Sequence, residues 1–179
     1  PADYVEPKID ATKSMRDQAV NHQSGDFNVG YDVNPKFSPD GKYIAWQSMK
    51  RNGYESDRNR LCVYELATGR KTYVTESFDS NVDDYTWSAD SKSLYFIGVW
   101  HATVNVYQTN LKGAVRQLTK GDHNYVSIAL LGNKQLLGIR QSISQPNEIY
   151  AITPSKGNAD SQQTQLTFEN KHIFDQLAL

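Results

Sequence analysis

The chain has 179 residues, enough for one substantial domain, and its 19 basic side chains are offset by 20 acidic ones, so no broad field marks it for nucleic acid or an anionic membrane. No window approaches the roughly eighteen apolar residues of a membrane-spanning helix, and Pro1-Ala2-Asp3-Tyr4 is not a secretion signal. The one cysteine, Cys62, has no internal disulfide partner and reads as a small apolar strand residue, which leaves the redox compartment open.

Residues 1–34 show neither alternation nor a helical stripe, as in Lys8-Ile9-Asp10-Ala11-Thr12-Lys13, and are read as irregular. A chain that opens on Pro1 without a methionine looks trimmed. Asn34-Pro35 starts the first clear unit by forcing Asn34 out of the helical region. There Ser38-Pro39-Asp40-Gly41 has the residues of a type I turn followed by glycine, and Tyr43 to Met49 is a strand. Lys50 to Arg60 is too charged for a core and reads as an exposed loop. Leu61 to Leu66 resumes the strand pattern, Ala67-Thr68-Gly69-Arg70 turns it, and Lys71 to Thr75 returns.

A second unit repeats the order: Asp84 to Trp87, the Ser88-Ala89-Asp90-Ser91 turn, Leu94 to Gly98, Val104 to Thr109, the Asn110 to Gly113 turn, and Val115 to Thr119. A third runs through Ser127 to Leu131, the Gly132-Asn133-Lys134 turn, Leu136 to Arg140, Glu148 to Ile152 and Thr164 to Thr167. The closing phrases Tyr73-Val74-Thr75, Gln117-Leu118-Thr119 and Gln165-Leu166-Thr167 lie 44 and 48 residues apart. A period of 40 to 50 residues carrying four strands marks a propeller blade. Strands apolar on both faces, such as Leu94-Tyr95-Phe96-Ile97, suit a sheet packed between two neighbours. A two-layer sandwich would also be all-β but would not require the repetition. The expected fold is therefore all-β: a partial β-propeller of about three four-stranded antiparallel blades, at 35–82, 83–127 and 128–179, with 1–34 as an irregular segment or the remnant of a preceding blade.

Two stretches, Asp32-Val33-Asn34-Pro35-Lys36-Phe37-Ser38-Pro39-Asp40-Gly41-Lys42 and Asp84-Tyr85-Thr86-Trp87-Ser88-Ala89-Asp90-Ser91-Lys92, resemble propeller blades of prolyl oligopeptidase-type serine peptidases, in the dipeptidyl peptidase IV-like and acylaminoacyl peptidase-like branches. Ser142 to Tyr150, a Ser-x-x-x-Pro-x-Glu-Ile-Tyr strand, and Leu166-Thr167-Phe168-Glu169-Asn170 are similar to the last blade before the hydrolase domain of such enzymes. TolB-like propellers share the Ser-Pro-Asp-Gly turn. The resemblance implies an α/β-hydrolase domain on the same polypeptide and peptide substrates, with a propeller that gates access to the active site and covers it. It also implies export to the periplasm. The chain itself contains no Gly-x-Ser-x-Gly elbow, so no catalytic residue is assigned and the chain is expected to be inactive alone.

Neither a metal nor another cofactor is expected. His22, His101, His123 and His172 have no ligand spacing to one another or to Cys62. Asp79-Ser80-Asn81-Val82-Asp83-Asp84 fails the calcium-loop pattern, which needs Gly sixth and Glu twelfth where Asp84 and Asp90 stand. The candidate substrate contacts are Trp100 and His101, at a hairpin tip suited to the rim facing a hydrolase domain, and Glu55, Arg58 and Arg60 in the charged loop. In relatives of this kind the propeller supplies acidic and arginine side chains to a peptide's amino end and carbonyl. A solvated loop is the ordinary reading of the last three. Two copies of the chain completing a ring would cover its open sheet edges.

Overall fold

In the computed structural model, which describes residues 30–51, 54–157 and 159–177, the strand-forming runs fold as three consecutive meanders. Strands β1 (Asp32–Phe37), β2 (Tyr43–Ser48), β3 (Arg60–Glu65) and β4 (Arg70–Tyr73) make a four-stranded antiparallel sheet in chain order. The second meander is β5 (Val82–Trp87), β6 (Ser93–Trp100), β7 (Thr103–Asn110) and β8 (Val115–Gln117). The third is β9 (Asn124–Leu131), β10 (Gln135–Ser142), β11 (Gln145–Thr153) and β12 (Gln162–Gln165), followed by one helical turn, α1 (Lys171–Phe174). A single parallel pairing of Val104 with Asn124 joins the last two meanders into one hydrogen-bonded sheet. The result is an all-β row of three blades that does not close on itself. The expected N-terminal remnant falls mainly on residues 1–29, outside the described residues.

The repeated Ser-x-Asp phrase is a hydrogen-bonded turn. The Ser38 hydroxyl donates to Asp40 Oδ1 at 2.6 Å and accepts the Tyr43 N–H at 3.0 Å, while Asp40 Oδ1 also accepts the Lys42 N–H at 3.1 Å. Ser88, Asp90, Lys92 and Ser93 repeat this network at 2.7, 3.1 and 3.1 Å. Gly41 takes a φ of 69° in the first copy, and Ser91 takes 59° in the second. A serine in that left-handed region is strained. Its compensation is a cross-blade bond, since the Ser91 hydroxyl accepts the Asp40 N–H at 3.1 Å.

The serine hydrogen bonds hold the Asp40 and Asp90 carboxyls below the ordinary range. A lowered folded-state pKa adds stability that is present above the unfolded value and is lost as pH falls through the lowered one. The expected outcome is acid destabilisation beginning below about pH 4 that is shallower in an Asp40→Asn/Asp90→Asn double variant. Urea midpoints measured against pH check it.

The closing phrases have an equally local cause. After each fourth strand an apolar residue donates its N–H to the third strand and the next residue, threonine, accepts an N–H from it. Val74 N–H reaches Leu61 O at 2.9 Å and Thr75 Oγ1 takes the Leu61 N–H at 2.8 Å. Leu118 and Thr119 do the same to Val106 at 2.8 and 2.9 Å, and Leu166 and Thr167 to Ile149 at 2.8 and 2.8 Å. The threonine extends the ladder by a side chain where the backbone has begun to leave it.

The first strand departs from the sequence expectation. It begins at Asp32, before Pro35, and passes Asn34-Pro35 by a shift of register between Val33 and Lys36, with Asn34 at φ 53°. Proline is tolerated there because β1 is an edge strand and the bulge removes the need for its missing N–H. Comparable irregularities fall between Val82 and Asp84 in β5 and opposite Ile139 and Arg140 in β9.

Alternation sends successive β6 side chains into two different cores. Leu94 and Phe96 join Leu61, Val63, Val74 and Trp87 between the first and second blades. Ile97, with Tyr95 against it, joins Val106, Leu118, Ile128 and Ile152 between the second and third. The seam between the first two blades is also polar at its inner edge. Trp87 Nε1 donates to Lys36 O at 3.0 Å, and the Tyr85 hydroxyl donates to Ala45 O at 2.8 Å and to Asn34 O.

Candidate functional site

Because each blade is a meander, its second-to-third-strand loop lies at the same end as the link to the next blade. The five candidate contacts all sit at this end: Glu55 and Arg58 in the β2–β3 loop with Arg60 opening β3, and Trp100 closing β6 with His101 in the β6–β7 turn. The link 74–81 shares it and is tied to the loop by Val82 N–H to Asn59 O at 3.0 Å and Asn59 N–H to Asn81 Oδ1 at 2.8 Å.

Arg58 and Arg60 converge on Glu76, which sequence reading had not singled out. Arg58 donates to Phe78 O at 2.6 Å and Glu76 O at 3.2 Å, with Glu76 and Asp79 carboxylates at 3.6 and 3.7 Å. Arg60 is buried, bonds Glu76 Oε2 at 3.1 Å, and lies 4.1 Å over the Tyr73 ring. Both guanidiniums therefore fasten the loop to the inter-blade link. A Glu beside two Arg positions in a later segment carries no local sequence signal, since the contact spans 16 residues or more.

Glu55 stands apart, and among the described residues no ion pair joins it to either arginine. It lines a cleft of about 730 Å³ with Tyr31, Asp32, Met49, Arg51 and Tyr54. Arg51 is fixed in the wall: it stacks 3.8 Å over Tyr54 and donates from Nε to Asp57 Oδ1 at 2.8 Å, while its backbone N–H meets Asp57 Oδ2 at 2.6 Å. Arg51 in turn lowers the Asp57 carboxyl's pKa. The cleft thus offers two exposed phenol rings, a thioether and the Glu55 carboxylate, beside an Asp32 carboxylate that accepts the Trp46 indole N–H at 3.1 Å, a surface suited to a cationic or peptide-like group.

Trp100 and His101 are brought together at the β6–β7 tip, with ring centroids 4.8 Å apart. His101 and Ala102 both have positive φ, 51° and 62°, as a tight two-residue hairpin turn demands, although neither is the Asn or Gly that adopts it cheaply. His101→Asn with Ala102→Gly is expected to add about 1 kcal/mol. That corresponds to a melting-temperature rise of roughly 2–4 °C for a chain of this size, readable by calorimetry.

Among the described residues the other titratable groups are not brought together. Burial pushes the Cys62 thiol up to about 12, so it stays protonated and unreactive. Burial, with Arg140 adding to it, pushes His123 down to about 4, and its Nε2 is enclosed without a partner. His22 lies outside the described residues. Among the described residues no cluster of three or more His, Cys, Asp or Glu could hold a metal ion.

A smaller cavity of about 240 Å³ adjoins Glu148, Pro146, Phe168 and Phe174. Glu148 accepts the Thr167 hydroxyl and, at 3.2 Å, the Asn170 N–H, so the Glu of the Pro-x-Glu-Ile-Tyr strand clamps the segment leaving β12. Those bonds, led by Thr167, hold its pKa below the usual carboxylate range.

No family model matches the chain. Over 157 residues, 87% of its length, it is 45% identical to dipeptidyl-peptidase 5 of Porphyromonas gingivalis, and the match covers 22% of that relative. The chain therefore spans about a fifth of the curated relatives it matches. Among solved structures, it superposes on acylaminoacyl peptidase of Pyrococcus horikoshii with a TM-score of 0.61 at 23% identity, over 78% of this chain and 20% of that one. The β-propeller domain of the trilobed protease of Pyrococcus furiosus gives 0.60 at 20% identity, over 83% and 41%. TolB of Acinetobacter baumannii gives 0.56 at 22%, over 78% and 33%. The structures establish the propeller fold, and the curated relatives bear out the resemblance to the propeller of prolyl oligopeptidase-type peptidases.

Proposed function

We propose that the chain is the non-catalytic propeller part of a serine-type dipeptidyl peptidase whose α/β-hydrolase domain lies elsewhere on the same polypeptide, and that the protein works in the periplasm. The observation that carries this reading is the 45% identity to a dipeptidyl-peptidase 5 across nearly the whole chain. The lack of a Gly-x-Ser-x-Gly elbow in the chain agrees with a supporting part. In this reading the blades cover the active site and admit only short or unfolded peptides. The Trp100–His101 tip contacts the peptide at the rim, and Glu55 in its tyrosine-walled cleft meets a cationic end. Arg58 and Arg60 act through the Glu76 clamp by holding the loop that presents Glu55.

The test uses the full polypeptide. It should release dipeptides from peptide amides, and Trp100→Ala/His101→Ala should raise KM for longer peptides more than for a dipeptidyl amide. An intact gene product that releases no dipeptides would sink the assignment, and equal effects on long and short substrates would sink the rim role.

The superposition on TolB favours a second reading, a propeller that binds protein partners with no peptidase attached. The gene discriminates them: a Gly-x-Ser-x-Gly within about 150 codons after Leu179 decides for the peptidase, and its absence there decides for the binding module.

A further inference from the structure

The second and third blades meet at one backbone joint, and a histidine is part of it. Val104 N–H, near the start of β7, is held by two acceptors at the entry to β9, His123 O at 3.3 Å and Asn124 Oδ1 at 2.9 Å. The same stretch makes the parallel pairing of Val104 with Asn124 that joins the two meanders. Any displacement of the His123 ring therefore pulls on the backbone that carries one of these acceptors and leads directly into the other.

The ring has a fitted seat. Gly121 lies against it at φ 136°, and a Cβ there would fall 2.7 Å from His123 Nδ1 and 2.8 Å from Cε1, so only glycine leaves the space. The buried Tyr125 ring of β9 meets it edge-on at 5.2 Å. The Tyr125 hydroxyl donates to Gln163 Oε1 of β12 at 2.7 Å, and Arg140 Nη1 of β10 donates to the same oxygen at 3.1 Å. The polar groups around Tyr125 are thus engaged with one another, and His123 Nε2 is enclosed without a partner. Arg140, paired across from Tyr125 and held 3.5 Å over the Tyr150 ring, adds a permanent positive charge. Among the described residues the acid that acts on the ring is Asp122 of its own link, and burial and Arg140 outweigh it, while Lys120 is turned to Asp160 at 2.9 Å. In an imidazolium both nitrogens carry hydrogen, so the charged ring would set an N–H against no acceptor and a cation beside a cation.

We propose that His123 is an acid-operated latch on the joint between the second and third blades: taking a proton from solvent drives its ring out of the seat and frees the Val104 N–H from the link. The latched form is the neutral imidazole. Burial first and Arg140 second push the His123 pKa down to about 4 from an ordinary value near 6.5, so the joint has its full stability above about pH 6.5 and loses it as pH falls toward 4. The parting is local, because Ser161 N–H on Leu118 O at 2.8 Å and the Arg116 guanidinium on Ser155 O and Gly157 O, each at 2.7 Å, still tie the two blades. The joint lies inside the row of blades, so the latch works whatever precedes or follows the chain, and whether or not the parent protein is a peptidase.

Hydrogen exchange of the full polypeptide, followed by mass spectrometry between pH 7 and 4.5, tests it, with each amide rate divided by its intrinsic rate at that pH. Asp40 and Asp90, whose pKa values lie below the ordinary range, stay charged throughout. Exchange in segments 103–107 and 121–126 should rise at least about tenfold on acidification, while segment 61–65 of β3 should not change. Exchange at the histidine ring carbon should give His123 a midpoint well below pH 6.5. His123→Phe keeps a ring that cannot be charged and should abolish the rise. Melting curves at pH 7 establish that the variant is folded, with His123→Gln as a second side chain that does not titrate. A His123 midpoint near pH 6.5 overturns the proposal, as does a rise that persists in both variants or one that is equal in segment 61–65.

Discussion

Phe96→Ala should lower the unfolding free energy by about 3–5 kcal/mol, roughly a fifth or more of what a domain commonly has. Phe96 is 0% exposed and lies in the seam between the first two blades, 5.2 Å from the Phe78 ring in an edge-on contact and 5.4 Å from the Tyr107 ring, nearly parallel at 19°. Truncation removes the apolar area and leaves a void that the seam cannot close, because two sheets and the 74–81 link hold its walls apart. Gly98 shows how tight that wall is: a Cβ there would lie 2.6 Å from Phe78 Cε1 and 2.7 Å from Asn81 O. The comparison variant is Phe168→Ala, an aromatic 55% exposed, which should change stability by no more than about 0.5 kcal/mol. Urea unfolding followed by tryptophan fluorescence measures both. A loss below about 1 kcal/mol for Phe96→Ala would mean that the blades do not pack face to face in solution.

That seam was visible in the sequence as a run apolar on both faces, and the reason is geometric. A blade between two neighbours has no wet side, so Leu94 and Phe96 serve one core and Tyr95 and Ile97 the other. The turn residues were legible too, because Ser38, Asp40 and Gly41 satisfy one another within a few positions. Contacts that join distant positions were not. Nothing near Arg58 or Arg60 announces Glu76, and the clamp exists only once the fold brings the link back under the loop. The strand through Asn34-Pro35 was missed for a related reason: local chemistry says proline ends regular structure, while a bulged edge strand accommodates it. Trp100 and His101 were legible as a hairpin tip, but their backbone strain was not, since it comes from the eight-residue register of β6 on β7 forcing a two-residue connection.

Asp84→Ala is expected to cost about 2–3 kcal/mol, far more than an acid on a first strand ordinarily would, while its neighbour Asp83→Ala should stay within about 0.5 kcal/mol. The sequence offers the pair Asp83-Asp84 with nothing to separate them. The fold separates them by one bulge, which leaves Asp83 exposed and aims Asp84 into the row. Its carboxylate accepts the Tyr85 N–H at 2.8 Å within its own blade and the Ile128 N–H at 3.0 Å from the third, and it lies 3.6 Å from Lys36 Nζ of the first. The ion pair is the smaller part, because both side chains are partly solvated and such pairs contribute roughly 0–1 kcal/mol. The larger part is the Ile128 N–H, which belongs to a buried residue and would be left without an acceptor. Asp84→Asn keeps one acceptor oxygen and should fall between wild type and alanine. Hydrogen exchange gives the sharper readout, since loss of Asp84 should speed exchange at the Ile128 amide well beyond the global change, whereas Lys36→Met should not. Equal acceleration at all strand amides would show that Asp84 contributes only to overall stability and does not link the three blades.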